Sequence, residues 1–126
     1  MKPLDVAGYL HGSAQPTKHF NVLKYSGIDS RRVIIDETAP IWHITEDMVV
    51  PPMQILASDH DVENRLNQNR LLVSTMQHFG HDMSRVDFRE LHGTHCSFAG
   101  EVDAFGNPVY AGLILDFMRR FCGEKV

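Results

Sequence analysis

The chain lacks most of the features that would fix a functional class at once. Its two cysteines, Cys96 and Cys122, stand far apart, so there is neither a disulfide framework nor a CxxC pair. A reducing compartment, or indifference to redox state, fits that usage. No apolar run approaches the ~18 residues that a membrane-spanning helix needs. Basic charge is not in excess. The formal net charge is −4, which argues against nucleic acid or an anionic membrane as partner. The opening MKPLDVAGYLHGS has one lysine and a short apolar stretch broken by glycine and histidine, unlike a secretory signal, so a cytoplasmic location is expected. Repeats and low-complexity segments are absent. What is left is 126 residues at 43% hydrophobic and 22% charged, the size and composition of one small globular domain spanning 1–126.

Local patterning divides the chain into alternating elements. Residues 5–10, DVAGYL, read as a buried strand, and HGSAQPT after them as a loop. A short helix is expected over 19–26, stopping at Gly27. Residues 29–36 fit either a short helix or an extended segment, and Thr38 before Pro40 fits a capped helical turn. After Pro51 and Pro52, MQILAS (53–58) is a near-continuous apolar run, the signature of a strand buried on both faces. SDHDVENR then reads as a polar turn. A helix is expected over 63–79, with Leu72, Met76 and Phe79 on its buried face and Gly80 at its end. RVDFREL (85–91) reads as a strand, HGTHCSF as a loop, and 108–122 as a final helix opened by Pro108 and closed by Arg119 and Arg120. Strands alternating with helices imply parallel crossovers. The expected fold is α/β, a short parallel sheet of about three strands with flanking helices.

Functional loops in such sheets follow the carboxyl ends of strands. Two loops have that address. SDHDVENR carries Asp59 and Asp61, and HGTHCSF carries His92, His95 and Cys96. On neighbouring strands, a carboxylate from the first loop reaches a histidine of the second. That pairing orients an imidazole and stabilises its protonated form, which is the Asp–His half of a nucleophile–His–Asp triad.

At these residues the sequence resembles a known family. PPMQILASDHDVENRLNQNRLLVSTMQHFG followed by RVDFRELHGTHCSF is similar to the C-terminal portion of the α/β-hydrolase fold, in particular its esterase-type members related to lipases and to acetyl-xylan or feruloyl esterases. TAPIWHI and DVAGYLHGS resemble the family's preceding segments, so the likeness covers nearly all of the chain but only the second half of the family's domain. The resemblance implies Asp61 as triad acid and His95 as triad base, with Gly93 in the small position before it. It also implies a partial α/β-hydrolase fold and a serine carboxylic-ester hydrolase acting on a small ester.

One part of the family pattern is missing. None of the serines, Ser13, Ser26, Ser30, Ser58, Ser74, Ser84 and Ser97, has glycine at both −2 and +2, so no G-x-S-x-G elbow is present. The family's order would place the nucleophile before residue 1. The expectation is therefore a hydrolase fragment inactive alone. Its bare strand edge near residues 5–10 invites a homo-oligomer. The alternative is a non-catalytic, hydrolase-derived oligomerisation or interaction module.

Other readings compete at each position. Asp61 also suits a solvated turn or a helix cap. Asp59 reads as a turn residue, and His92 as structural or surface. Eight histidines invite a metal, but a structural zinc site wants four ligands and no second His/Cys pair accompanies His92, His95 and Cys96. Neither metal nor cofactor is therefore expected. Cys96 beside His95 reads as a small filler rather than a thiol nucleophile, because a sequence neighbour rarely presents its base to it. Cys122 and Trp42 read as packing residues. Tyr110, Leu113, Leu115, Phe117 and Phe121 read as core, and the pair Arg31–Arg32 as surface.

Overall fold

The structure is a computed structural model, which describes residues 8–18 and 32–123. Its centre is a three-stranded parallel sheet in the order β1-β2-β3, with β1 at Tyr9–Gly12, β2 at Met53–His60 and β3 at Val86–Thr94. Tyr9 pairs with Met53 and Gly12 with Leu56; on the other side Met53 pairs with Val86 and Ser58 with Leu91. The chain is thus a small α/β fold of the expected kind. Helix α1 spans Arg65–His78 and α2 spans Val109–Phe121, with short 3-10 turns at Pro40–His43, Met83–Arg85 and Ser97–Gly100.

β2 lies in the middle because MQILAS can be covered on both sides. Residues 53–58 are all buried. Successive side chains of a strand point to opposite faces. Met53 and Ile55 pack with Leu72 and Met76 of α1 and with Ala39, Ile41 and Ile44 of the preceding segment. Gln54 faces the other way, and its amide donates to the Leu113 carbonyl of α2 at 2.9 Å. The two helices therefore cover opposite faces of the sheet. Fully burying an aliphatic side chain such as Ile55 stabilises by about 1.5–3 kcal/mol. On the α2 side, Phe98 and Phe117 supply the large buried groups. Gly8 lets the chain entering β1 approach Phe117, since a Cβ there would lie 3.1 Å from the ring.

Several sequence expectations need correction. The first strand occupies Tyr9–Gly12, so His11 and Gly12 are ladder residues rather than loop; pairing with β2 overrides their turn preference. Likewise β2 runs on through Asp59 and His60, and β3 through His92, Gly93 and Thr94, all expected in loops. Thr38 does not cap the turn at Pro40–His43, whose N-cap is Ala39; the Thr38 amide and hydroxyl bond to Asp36 instead. Phe79 lies at the C-cap of α1 and is exposed, while Gln68 and Asn69 are buried in its place. Trp42 is 56% exposed and does not pack in the core. Leu115 is exposed, and of the expected core residues of α2 only Phe117 is fully buried. Residues 32–36 form neither helix nor strand. The helix expected over 19–26, residues 5–7 of the first strand and Arg31 lie outside the described residues. Among the described residues, no helix is long and apolar enough to cross a membrane.

Candidate functional site

The carboxyl ends of all three strands meet at one place. β1 delivers Ser13, the residue after its last; β2 delivers Asp61, likewise one past its end; β3 leads into His95. Asp61 and His95, paired in expectation from sequence alone, are hydrogen-bonded: the imidazole Nδ1 lies 2.7 Å from Asp61 Oδ1. A carboxylate only accepts, so Nδ1 is the donor and Nε2 is the nitrogen left for other partners.

The Asp61 side chain is completely shielded from solvent, whereas that of His95 is 47% exposed. Burial alone pushes the Asp61 carboxyl up. Hydrogen bonds from the Ser13 hydroxyl, the Val62 amide and His95 outweigh it and hold the group below its usual range. The buried carboxylate is thus kept charged and aimed at the imidazole.

Ser13 belongs to this site, although no motif marks it. It is 3% exposed, its hydroxyl donates to Asp61 Oδ2, and its oxygen lies 3.0 Å from the same Nδ1 that Asp61 holds. That is not the geometry of a nucleophile. An activated hydroxyl gives its proton to the imidazole nitrogen opposite the one held by the acid. Ser13 instead shares the acid's side of the ring and supports the carboxylate. The available signal was its place, directly after Gly12 at the end of a strand.

Helix α1 holds the Ser13 loop down. Arg65 donates through Nη1 to the Ser13 carbonyl at 2.6 Å, and Asn69 donates to the Ala14 carbonyl at 2.9 Å. The buried polar face of α1 is therefore a clamp on the β1 loop. Ser13, Asn64 and Cys96 have φ of +53°, +63° and +55°. They are the non-glycine residues with positive φ among those described, and each sits in a loop of this site. Such conformations cost on the order of 1–3 kcal/mol and cluster where geometry serves function.

Nε2 of His95 faces away from Asp61. Cys96 Sγ lies 3.7 Å from Nε2 and 3.9 Å from Nδ1. Near-equal distances put the sulfur abreast of the ring, on the axis of neither nitrogen. Its position suits a filler rather than a thiol paired with its base.

A second cluster stands beside the first. Asp59, expected as a turn residue, accepts from His92 Nδ1 at 2.8 Å, from the Gly93 amide at 2.8 Å and from His60 Nδ1 at 2.8 Å. These bonds hold Asp59 well below the usual carboxylate range, the Gly93 amide being the largest cause, and the carboxylate in turn raises His92. His92 is thus a surface residue, as expected, and it is also a hydrogen-bond partner of Asp59.

Set against known protein families, curated proteins and solved structures, the chain has no significant match.

Proposed function

We propose that Asp61 and His95 are the acid and general base of an acyl-transfer site acting on carboxylic esters, in the manner of the α/β-hydrolase esterases that the sequence resembles. The nucleophile comes to His95 Nε2 from outside the described residues. One observation carries this reading: a fully shielded carboxylate holds the Nδ1–H of an imidazole that is itself about half exposed. In the first half-reaction a hydroxyl nucleophile passes its proton to Nε2 as its oxygen attacks the ester carbonyl. Asp61 stabilises the imidazolium. His95 then protonates the departing alcohol, and the same base activates water to release the acid. Ser13 is a positioning residue for Asp61.

The test uses an activated aryl ester and a fluorophosphonate probe on the full chain. With no nucleophile supplied, only water activated by His95 can attack, so the expected result is residual slow hydrolysis, without an acyl-enzyme burst, that falls at least tenfold in His95→Gln and survives in Ser13→Ala, with no labelling of Ser13. Hydrolysis indifferent to His95 would remove the proposal. Stoichiometric labelling of Ser13 would overturn its assignment as a positioning residue.

A non-catalytic interaction module is favoured by a different observation. β1 pairs on one side only among the described residues, and Leu10 on it is 47% exposed. A mainly apolar cavity of about 260 Å³, lined in part by Tyr9, Ile44, Met48 and Met53, opens beside it. In this reading a second copy pairs with β1 edge to edge. Sedimentation should then show a dimer that Leu10→Lys converts to monomer, and a monomeric wild-type chain would dismiss it.

A further inference from the structure

The cluster around Asp59 is separate from the Asp61–His95 pair and takes no part in the chemistry proposed for it. It arises from a break in strand register. Ser58 pairs with Leu91, but His60 pairs with Thr94, so β3 advances three residues where β2 advances two. The extra residue is a β-bulge, which re-aims side chains at a strand end. Asp59 consequently faces both His92 and Gly93 and is bonded to both. Neighbours in a regular strand point to opposite faces, yet His60 also bonds to Asp59 here, and the His60 and His92 rings meet edge to face at 5.6 Å.

The result gathers two imidazoles and one carboxylate, whose ligand atoms all lie within 4.8 Å of one another. We propose that Asp59, His60 and His92 form a binding site for a divalent transition-metal cation of the zinc type, with at least one coordination position open.

Ligand chemistry and mobility both support it. Two histidines with one carboxylate is a donor set used by zinc and by other first-row divalent ions, and three protein ligands leave the fourth tetrahedral position free. Metal–ligand bonds of about 2.0–2.2 Å put tetrahedral ligand atoms roughly 3.3 Å apart. The present spacing reaches that by side-chain rotation. The His60 and His92 side chains are 70% and 87% exposed, so little packing opposes the movement. The Gly93 amide already holds one oxygen of Asp59, the kind of outer contact that orients a metal-bound carboxylate. Glu90 and Glu101 lie within electrostatic reach of Asp59 and His92, so the surroundings favour a cation.

The experiment is calorimetric titration of the chelator-treated full chain with zinc chloride, repeated with cobalt(II) to read coordination from its visible absorption. The expected result is one saturable site. His60→Gln, His92→Gln and Asp59→Asn should each weaken it at least about tenfold, and His95→Gln should leave it unchanged. The three substituted side chains are exposed, so the fold is not at stake, and circular dichroism of each variant checks this. Absence of saturable binding overturns the proposal. So does binding that survives His60→Gln and His92→Gln, or that falls with His95→Gln. The outcome is independent of whether the chain hydrolyses esters.

Discussion

Two Asp–His pairs sit at the ends of β2 and β3, offset by only a few residues. Asp59 meets His92 at 2.8 Å and Asp61 meets His95 at 2.7 Å. Distance does not distinguish them; surroundings do. The Asp61 side chain is shut away from water, whereas that of Asp59 is 38% exposed. Each carboxylate accepts from three donors, but the buried one holds a single imidazole by its Nδ1–H. The exposed one is shared by two imidazoles that both stand open to water. The same residue types, at nearly the same separation, are thus suited to general-base chemistry in one place and to ligation in the other.

The largest effect that would sharpen this contrast is on stability. Asp61→Ala leaves the Ser13 hydroxyl, the Val62 amide and His95 without their acceptor. Burying one unpaired polar group costs about 1–3 kcal/mol, so a clear fall in the urea midpoint is expected. Asp59→Ala should shift the midpoint much less, because pairs this exposed contribute little. Equal shifts for the two variants would erase the distinction. Ser13→Ala comes next, at about 1 kcal/mol for one hydrogen bond, measured in the same way.

The smallest effect is in pH dependence, read on chelator-treated protein. Asp61 and Asp59 are both held below their ordinary values in the fold. Each therefore contributes stability that is present above the unfolded carboxylate pKa of about 3.9 and lost as pH falls through the lower folded value. His92 is raised, so its contribution is present below the unfolded pKa of about 6.5 and lost as pH rises through the higher folded value. Asp61→Asn should flatten only the acid limb of the stability profile. His92→Gln should remove a weak decline on the other side, above pH 6.5. An acid limb unaltered in Asp61→Asn would show that the carboxylate is not stabilised as its contacts imply.

Much of this architecture was legible in the sequence. MQILAS read as a doubly covered strand because six consecutive residues can all be buried, and Gly80, with φ of +80°, closed α1 where expected. Asp61 and His95 were paired from their addresses after adjacent strands. Ser13 was not, since its membership depends on a third strand and on Arg65 and Asn69 pulling its loop inward, contacts without a periodic signature. Phe79 continues the spacing of Leu72 and Met76, but it stands at the C-cap, where the chain leaves the helix and the side chain turns to solvent. The cluster at Asp59 was invisible because a bulge, not an alternation, brings His60 and His92 to one carboxylate.

Gly93 lies in the chain between the histidines of the two pairs and donates its amide to Asp59. Its φ of +143° belongs to glycine, and a Cβ there would overlap the Ser97 hydroxyl oxygen. In terms of mutational tolerance, positions 92 and 95 can each change with loss of one pairing, while a side chain at position 93 meets both a strained φ and Ser97. A library randomised over residues 92–95 and selected only for folding should accordingly return glycine at 93 far more often than histidine on either side of it.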